Sequence, residues 1–435
     1  MLQIIFLYVS CLFIWRAMSL YSSNTRWKIL FLLFALIFYA AHYEEDNHVE
    51  EYTVMFLSIA TYCFLRSLKE NKFPPLYGFV YGLGFGACVM IRTSDAAQIC
   101  CQIFLVTIFL LQARDFKNLW KNFLSFVAGV AVIVLPFVIY FAAHGALYDM
   151  FYGTILFNMK YTTVTYHLSR ALQAIYSLVH FMPLIAMVLV AAVALNQDKA
   201  SRLFWSGIFI GTMLWIMLIT FRPFGHYAMI IFPVMPILFA ILHDSSDTLK
   251  KFLRSPFSIE RLLLKFLIVL TVIHACVLVV HLKEYYLGEN NSMPVLFFKY
   301  DKRLAMSNPN EHEEILSLKQ MIPPDERASF VSWGDYCTTP HWVIYADMKP
   351  REREFFHNSS HGRIDPAIRQ EWFGNVRNDP PLWILYGTAP GRKPGEPPKT
   401  SMEDEELEQL LAEKYSLRGE VYVYPQMLKL YRLKE

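Results

Sequence analysis

Five carboxylates, Glu44, Glu45, Asp46, Glu50 and Glu51, stand within the eleven residues HYEEDNHVEEY between two strongly apolar runs. Carboxylates at such density can hold a divalent cation such as Mg or Mn, with Glu51 as a ligand, or accept a proton from an incoming hydroxyl, which makes Glu50 and Glu51 the candidate catalytic pair. Three other stretches carry complementary chemistry: Arg92 and Asp95 in IRTSDAA, Asn158 and Lys160 in FNMKYTTVTYHLSR, and Arg222, His226 and Tyr227 in FRPFGHYAM. Their basic side chains suit a lipid phosphate, and charges clustered at a membrane boundary mark a candidate substrate-binding site. Each group also has a plainer reading. Glu44, Glu45 and Asp46 fit a solvated turn, Glu50 and Glu51 fit a first helical turn favoured by the dipole, Arg92 fits a snorkelling helix end, and His226 with Tyr227 fits an interfacial belt.

The elements that position these groups follow from composition. The chain is 55% hydrophobic and 16% aromatic but only 18% charged, with mean hydropathy +0.31, which points to a polytopic membrane protein. Runs of about 17 to 25 apolar residues predict ten spans: 2–20, 27–43, 51–67, 75–92, 96–113, 122–143, 174–195, 203–220, 227–243 and 263–282. The loops that would face the cytoplasm if the first span runs inward hold fifteen Lys or Arg, against four in the opposite loops. The positive-inside rule then puts the N-terminus, every candidate site residue and everything after residue 283 on the exoplasmic side. The first span lacks a basic n-region and is read as a retained span, not a signal peptide. Residues 146–171, rich in Tyr and Phe, are read as an amphipathic wall lying along the membrane.

After residue 283 no run is long enough to span. Strands at RASFVSWG, PLWILYGTA, EVYVYPQ and MLKLYRLKE alternate with helices near TPHWVIYADM, 365–374 and MEDEELEQLLAEKY, which predicts a small α/β domain over 284–435 behind a transmembrane domain over 1–283. Seven cysteines form no framework: six lie in spans and only Cys337 lies beyond them. GLGFGA at 82–87 resembles a dinucleotide fingerprint, but it sits inside a span with no preceding strand, so close packing of helices through small residues explains it better. NNS at 290 and NSS at 358 match N-glycosylation acceptors. The near-neutral charge balance calls for no nucleic-acid partner.

On these residues the chain resembles the GT-C superfamily of polytopic glycosyltransferases, which includes dolichyl-phosphate-mannose protein mannosyltransferases and lipid A aminoarabinose transferases. NHVEEYTVMFLSIATYCFL resembles the N-x-x-E-E-Y opening of an early span there, with support from GLGFGACVMIRTSD, YDMFYGTILFNMKY and RPFGHYAMIIFPVMP. The resemblance implies inverting transfer of a sugar from a polyprenyl-phosphate donor to a glycan, lipid or protein acceptor. The setting would be a multi-pass protein of the bacterial inner membrane facing the periplasm, or of the endoplasmic reticulum facing its lumen. It further implies that Arg92, Arg222 and His226 meet the carrier phosphate. The superfamily places a key acid in a first exoplasmic loop, whereas this chain starts where the second span would, so that span and loop are expected to be missing and Glu50 and Glu51 to be the second acidic site. A transporter or flippase would also need many spans, yet paired repeats or broken midplane helices are its usual mark. A noncatalytic scaffold with an exoplasmic binding domain is the third reading.

Overall fold

A computed structural model describes residues 2–41, 49–163, 229–244, 311–334, 362, 365–387, 402–423 and 426–435. The structure is mostly helical (75%), with a small sheet, and divides into two compact units, Met1–Gly288 and Glu289–Glu435.

In the first unit the apolar runs become α1 (Leu2–Ser19), α2 (Thr25–Ala41), α3 (Glu50–Glu70), α4 (Pro75–Ile91), α5 (Ala97–Gln112) and α6 (Phe116–Ala143). Among the described residues, three helical stretches are long and apolar enough to cross a membrane, Leu2–Ser19, Thr93–Gln112 and Phe116–Ala143. α3 is long enough but carries five charged residues. The expected spans at 174–195, 203–220 and 263–282 lie outside the described residues, as does the helix expected near TPHWVIYADM. Met229–Ile241, ending in α9 (Met235–Asp244), is a shorter apolar helical stretch. α6 starts at Phe116, six residues before the apolar run, because Asp115 caps it by accepting from the Asn118 N–H at 3.2 Å. Its Val132, Leu135, Ile139 and Tyr140 are more than half exposed, the surface expected of a helix solvated by lipid.

Glycines set the closest helix contact. Gly78, Gly82 and Gly86 repeat at four-residue spacing on α4 and lie against α6, where Gly129 meets Gly82: a Cβ on either would sit 3.0 Å from the other's Cα. The backbones approach because no side chain stands between them. The GLGFGA stretch is therefore a packing surface.

The helices sort charge to opposite ends. At one end the α3–α4 turn meets α6 through Asn122 Nδ2, which donates to the Phe73 carbonyl at 2.9 Å. There too Lys28 Nζ donates to Ser19 Oγ at 2.9 Å, and Lys69 lies over the Tyr21 ring. This end carries nine Lys and Arg side chains, Arg16, Arg26, Lys28, Arg66, Lys69, Lys72, Arg114, Lys117 and Lys121, whereas among the described residues the other end carries only Arg92 and Lys160.

In the second unit α10 (Glu311–Gln320), β1 (Phe330–Trp333), α11 (Pro366–Asn378), β2 (Trp383–Gly387), α12 (Met402–Lys414), β3 (Tyr415–Val423) and β4 (Gln426–Leu433) build a sheet of order β1-β2-β4-β3. β1 and β2 are parallel in the register Phe330↔Trp383, and the remaining pairs are antiparallel. All five residues of β2 are buried: Trp383 and Leu385 pack with Leu318 of α10, while Ile384 and Tyr386 pack with α11 and α12. Helices on both faces explain why WILYG is a continuous apolar run and not an alternating one.

Candidate functional site

The site is built where α3 begins and α4 ends. Glu50 and Glu51 occupy the first turn of α3, where the helix dipole favours negative charge, but they do not face solvent, being 1% and 5% exposed. α4 stops at Ile91, and Arg92 leaves the helix in an extended conformation, φ −159° and ψ 110°. The chain then enters a single 3-10 turn, Thr93–Ala96. That break turns the Arg92 side chain back on α3.

Arg92 Nη1 donates to Glu50 Oε1 across 42 residues of sequence. Its Nε lies 3.9 Å from Asp95 Oδ1, and the Arg92 carbonyl accepts from the Asp95 N–H at 3.0 Å. Asp95 is fully buried. Its other oxygen accepts from Thr53 Oγ1 at 2.9 Å, and Ser94 Oγ donates to Oδ1 at 3.3 Å. Thr53 stands one turn beyond Glu50 on α3 and bonds the Glu50 carbonyl as well, at 3.1 Å. A guanidinium whose side chain is 17% exposed thus sits between two carboxylates that are essentially buried. Arg92 carries the one positive charge between two negative ones, so removing it would leave two carboxylates uncompensated in a poor solvent.

Asn158 and Lys160 are held differently. Residues 147–163 form one helical stretch: α7 (Leu147–Phe151), a π-helical turn (Tyr152–Leu156) and α8 (Phe157–Thr163). The Thr154 carbonyl in the π turn accepts from Thr93 Oγ1 at 3.0 Å, which ties this stretch to the Arg92 turn. Asn158 Nδ2 donates to carbonyls of its own helix, Thr154 at 2.9 Å and Gly153 at 3.3 Å, and Lys160 Nζ lies 5.4 Å over the Tyr152 ring. Neither reaches Arg92 through these contacts. Leu147, Tyr148, Phe151 and Met159 are exposed, leaving an apolar surface on this stretch. Gln98, one turn past Asp95, donates to the Ile230 carbonyl at 3.4 Å. Arg222, His226 and Tyr227, and with them Glu44, Glu45 and Asp46, lie outside the described residues.

The structure therefore joins Glu50, Arg92 and Asp95, keeps Glu51 buried beside them in the same helical turn, and places Asn158 and Lys160 on a helix linked through Thr154. Sequence reasoning missed Thr53 and Thr93. Thr53 was findable, since i and i+3 share a helix face; the Thr93 contact with a π-turn carbonyl left no signal. For a divalent cation, the described residues offer no group of three or more His, Cys, Asp or Glu, and Glu50 and Asp95 already flank a guanidinium. No family model, no curated protein and no solved structure matches the chain.

Proposed function

We propose that the chain is a multi-pass membrane glycosyltransferase of the GT-C type, which transfers a sugar from a polyprenyl-phosphate carrier to an exoplasmic acceptor at the end of the helices that carries Arg92. One observation carries this reading: a planar guanidinium held between Glu50 and Asp95 at the outer end of apolar helices. Its fork matches phosphate oxygens, and intramembrane ionisable groups mark functional sites by default. The charge sorting supports the orientation, since nine cations at the opposite end make that end cytoplasmic under the positive-inside rule. On this reading the ten-span arrangement completes the membrane part, and the Glu289–Glu435 unit follows on the exoplasmic side.

In the transfer, an acceptor hydroxyl oxygen forms a bond to the anomeric carbon as the bond from that carbon to the carrier phosphate breaks. The bonding pair leaves with the phosphate, and Arg92 neutralises the charge that develops there. The hydroxyl proton goes to a carboxylate, for which the Glu50 and Glu51 turn is the candidate.

A noncatalytic scaffold is the second reading, favoured by the commitment of Glu50 to Arg92, because a buried ion set can also serve as a structural tie. Glu51→Gln and Arg92→Ala separate the two. Loss of sugar transfer from a polyprenyl-phosphate donor in membranes, with the protein still folded, supports the enzyme, and unchanged transfer in both variants defeats it.

A further inference from the structure

At the basic end of the helices, far along α3 and α4 from Arg92, a pocket of about 490 Å3 opens between the α3–α4 turn and the α5–α6 turn. Its volume falls within the roughly 300–1,000 Å3 of small-molecule sites. The turns are tight because Asn71 and Arg114 both adopt left-handed conformations, φ 49° and 54°, so the helix ends come together without filling the space between them. The lining divides by chemistry. Phe73, Phe109 and Leu110 give an apolar wall, while Lys72, Asn118 and Asp115 give a polar one. The Asp115 carboxylate is engaged in capping α6.

We infer that this pocket binds an anionic phospholipid of the leaflet facing the basic end, with the headgroup phosphate against Lys72 and Asn118 and an upper acyl segment against Phe73, Phe109 and Leu110. Three observations single out that occupant. The pocket is amphipathic, as a lipid is. Exposed Lys72 lines it, exposed Arg114 and Lys117 stand next in sequence to its lining residues Ala113, Asp115 and Asn118, and the end as a whole carries nine cations against Glu70, Asp115 and Asp244 among the described residues. Trp120, 61% exposed on the next turn of α6, marks the headgroup depth at which such aromatic side chains sit. Basic pockets between helices on the cytoplasmic side hold lipid headgroups in this way. The inference rests on the membrane setting and not on sugar transfer.

The test titrates dioctanoyl phosphatidylglycerol, dioctanoyl phosphatidylcholine and glycerol 3-phosphate onto the purified full-length chain in detergent, read by native mass spectrometry. The anionic lipid is retained one to one, and the other two are not. Lys72→Glu, an exposed position, and Phe109→Trp, which fills the pocket without changing charge, each weaken retention by about fivefold or more. Arg418→Glu, the same charge change on an exposed strand of the other unit, leaves it unchanged. Equal retention of the two lipids, displacement of the lipid by glycerol 3-phosphate, or a loss in Arg418→Glu matching that in Lys72→Glu would overturn the inference.

Discussion

The seam between α4 and α6 offers a perturbation whose size follows from the structure. A methyl placed on Gly82 meets the Phe126 carbonyl oxygen first, then the Val130 nitrogen at 2.9 Å and the Gly129 Cα at 3.0 Å, and one on Gly129 meets the Phe79 carbonyl oxygen first, then the Leu83 nitrogen at 2.9 Å. These neighbours are backbone atoms, which cannot rotate away. Reaching ordinary contact of about 3.5–4.0 Å with those carbonyl oxygens requires the helices to part by more than about 1 Å, and forced expansion of a packed contact costs about 1–3 kcal/mol. Gly82→Ala and Gly129→Ala should each destabilise by that amount despite alanine's better helix propensity. Because the two glycines face each other, the separation made for one methyl accommodates the other, so the double variant should cost less than the sum. Gly153→Ala, where a Cβ meets nothing within 4 Å, is the control and should not destabilise, gaining up to about 0.5–1 kcal/mol from the replacement of a helical glycine. Equilibrium unfolding of the detergent-solubilised chain in mixed micelles measures all four. Neutral single variants, or strictly additive ones, would refute the account of glycine-mediated contact.

In the second unit, a methyl added at Gly374 in α11 would meet nothing within 4 Å, so Gly374→Ala should stabilise that unit by about 0.5–1 kcal/mol in thermal unfolding. Glu326 accepts from Arg432 Nη2 at 3.1 Å and from Trp383 Nε1 at 2.6 Å; the Arg432 and then the Trp383 hydrogen bond hold its carboxyl below the usual range. A folded-state pKa below the unfolded one contributes stability at neutral pH that is lost as pH falls from the ordinary carboxylate value of about 4.3 through the lower folded value. Tryptophan fluorescence of the unit across that acid limb should show a steeper loss for the native chain than for Glu326→Gln. Tyr415→Phe, which removes the buried hydrogen bond to the Pro381 carbonyl and leaves that acceptor unmet, should lower the melting temperature by an amount corresponding to about 1 kcal/mol.

What could be read from the sequence depended on whether the signal was local. Long apolar runs gave α1 to α5 to within about three residues, and the small residues of GLGFGA gave the α4 packing face. The strands of the second unit were visible as short apolar or alternating runs between turn residues. Helix ends were less legible: a hydropathy run placed the start of α6 at residue 122, while Asp115 capping extends the helix outward through polar residues. The Arg92 arrangement was half legible. Charges at the ends of adjacent runs marked a place, but whether Arg92 would snorkel or turn inward depended on an extended backbone after Ile91 and on a partner 42 residues away, neither of which leaves a pattern in one sequence. Asn158 and Lys160 looked alike as polar groups in an aromatic stretch, whereas in the structure Asn158 donates to carbonyls of its own helix and Lys160 lies over the Tyr152 ring.

Arg92→Lys keeps the positive charge between Glu50 and Asp95 and removes the planar fork that would grip a phosphate, so its rate of sugar transfer from a labelled polyprenyl-phosphate donor tests the central claim most directly. At matched amounts of folded protein in membranes, the account predicts a fall of about tenfold or more. A rate equal to that of the native chain would contradict it.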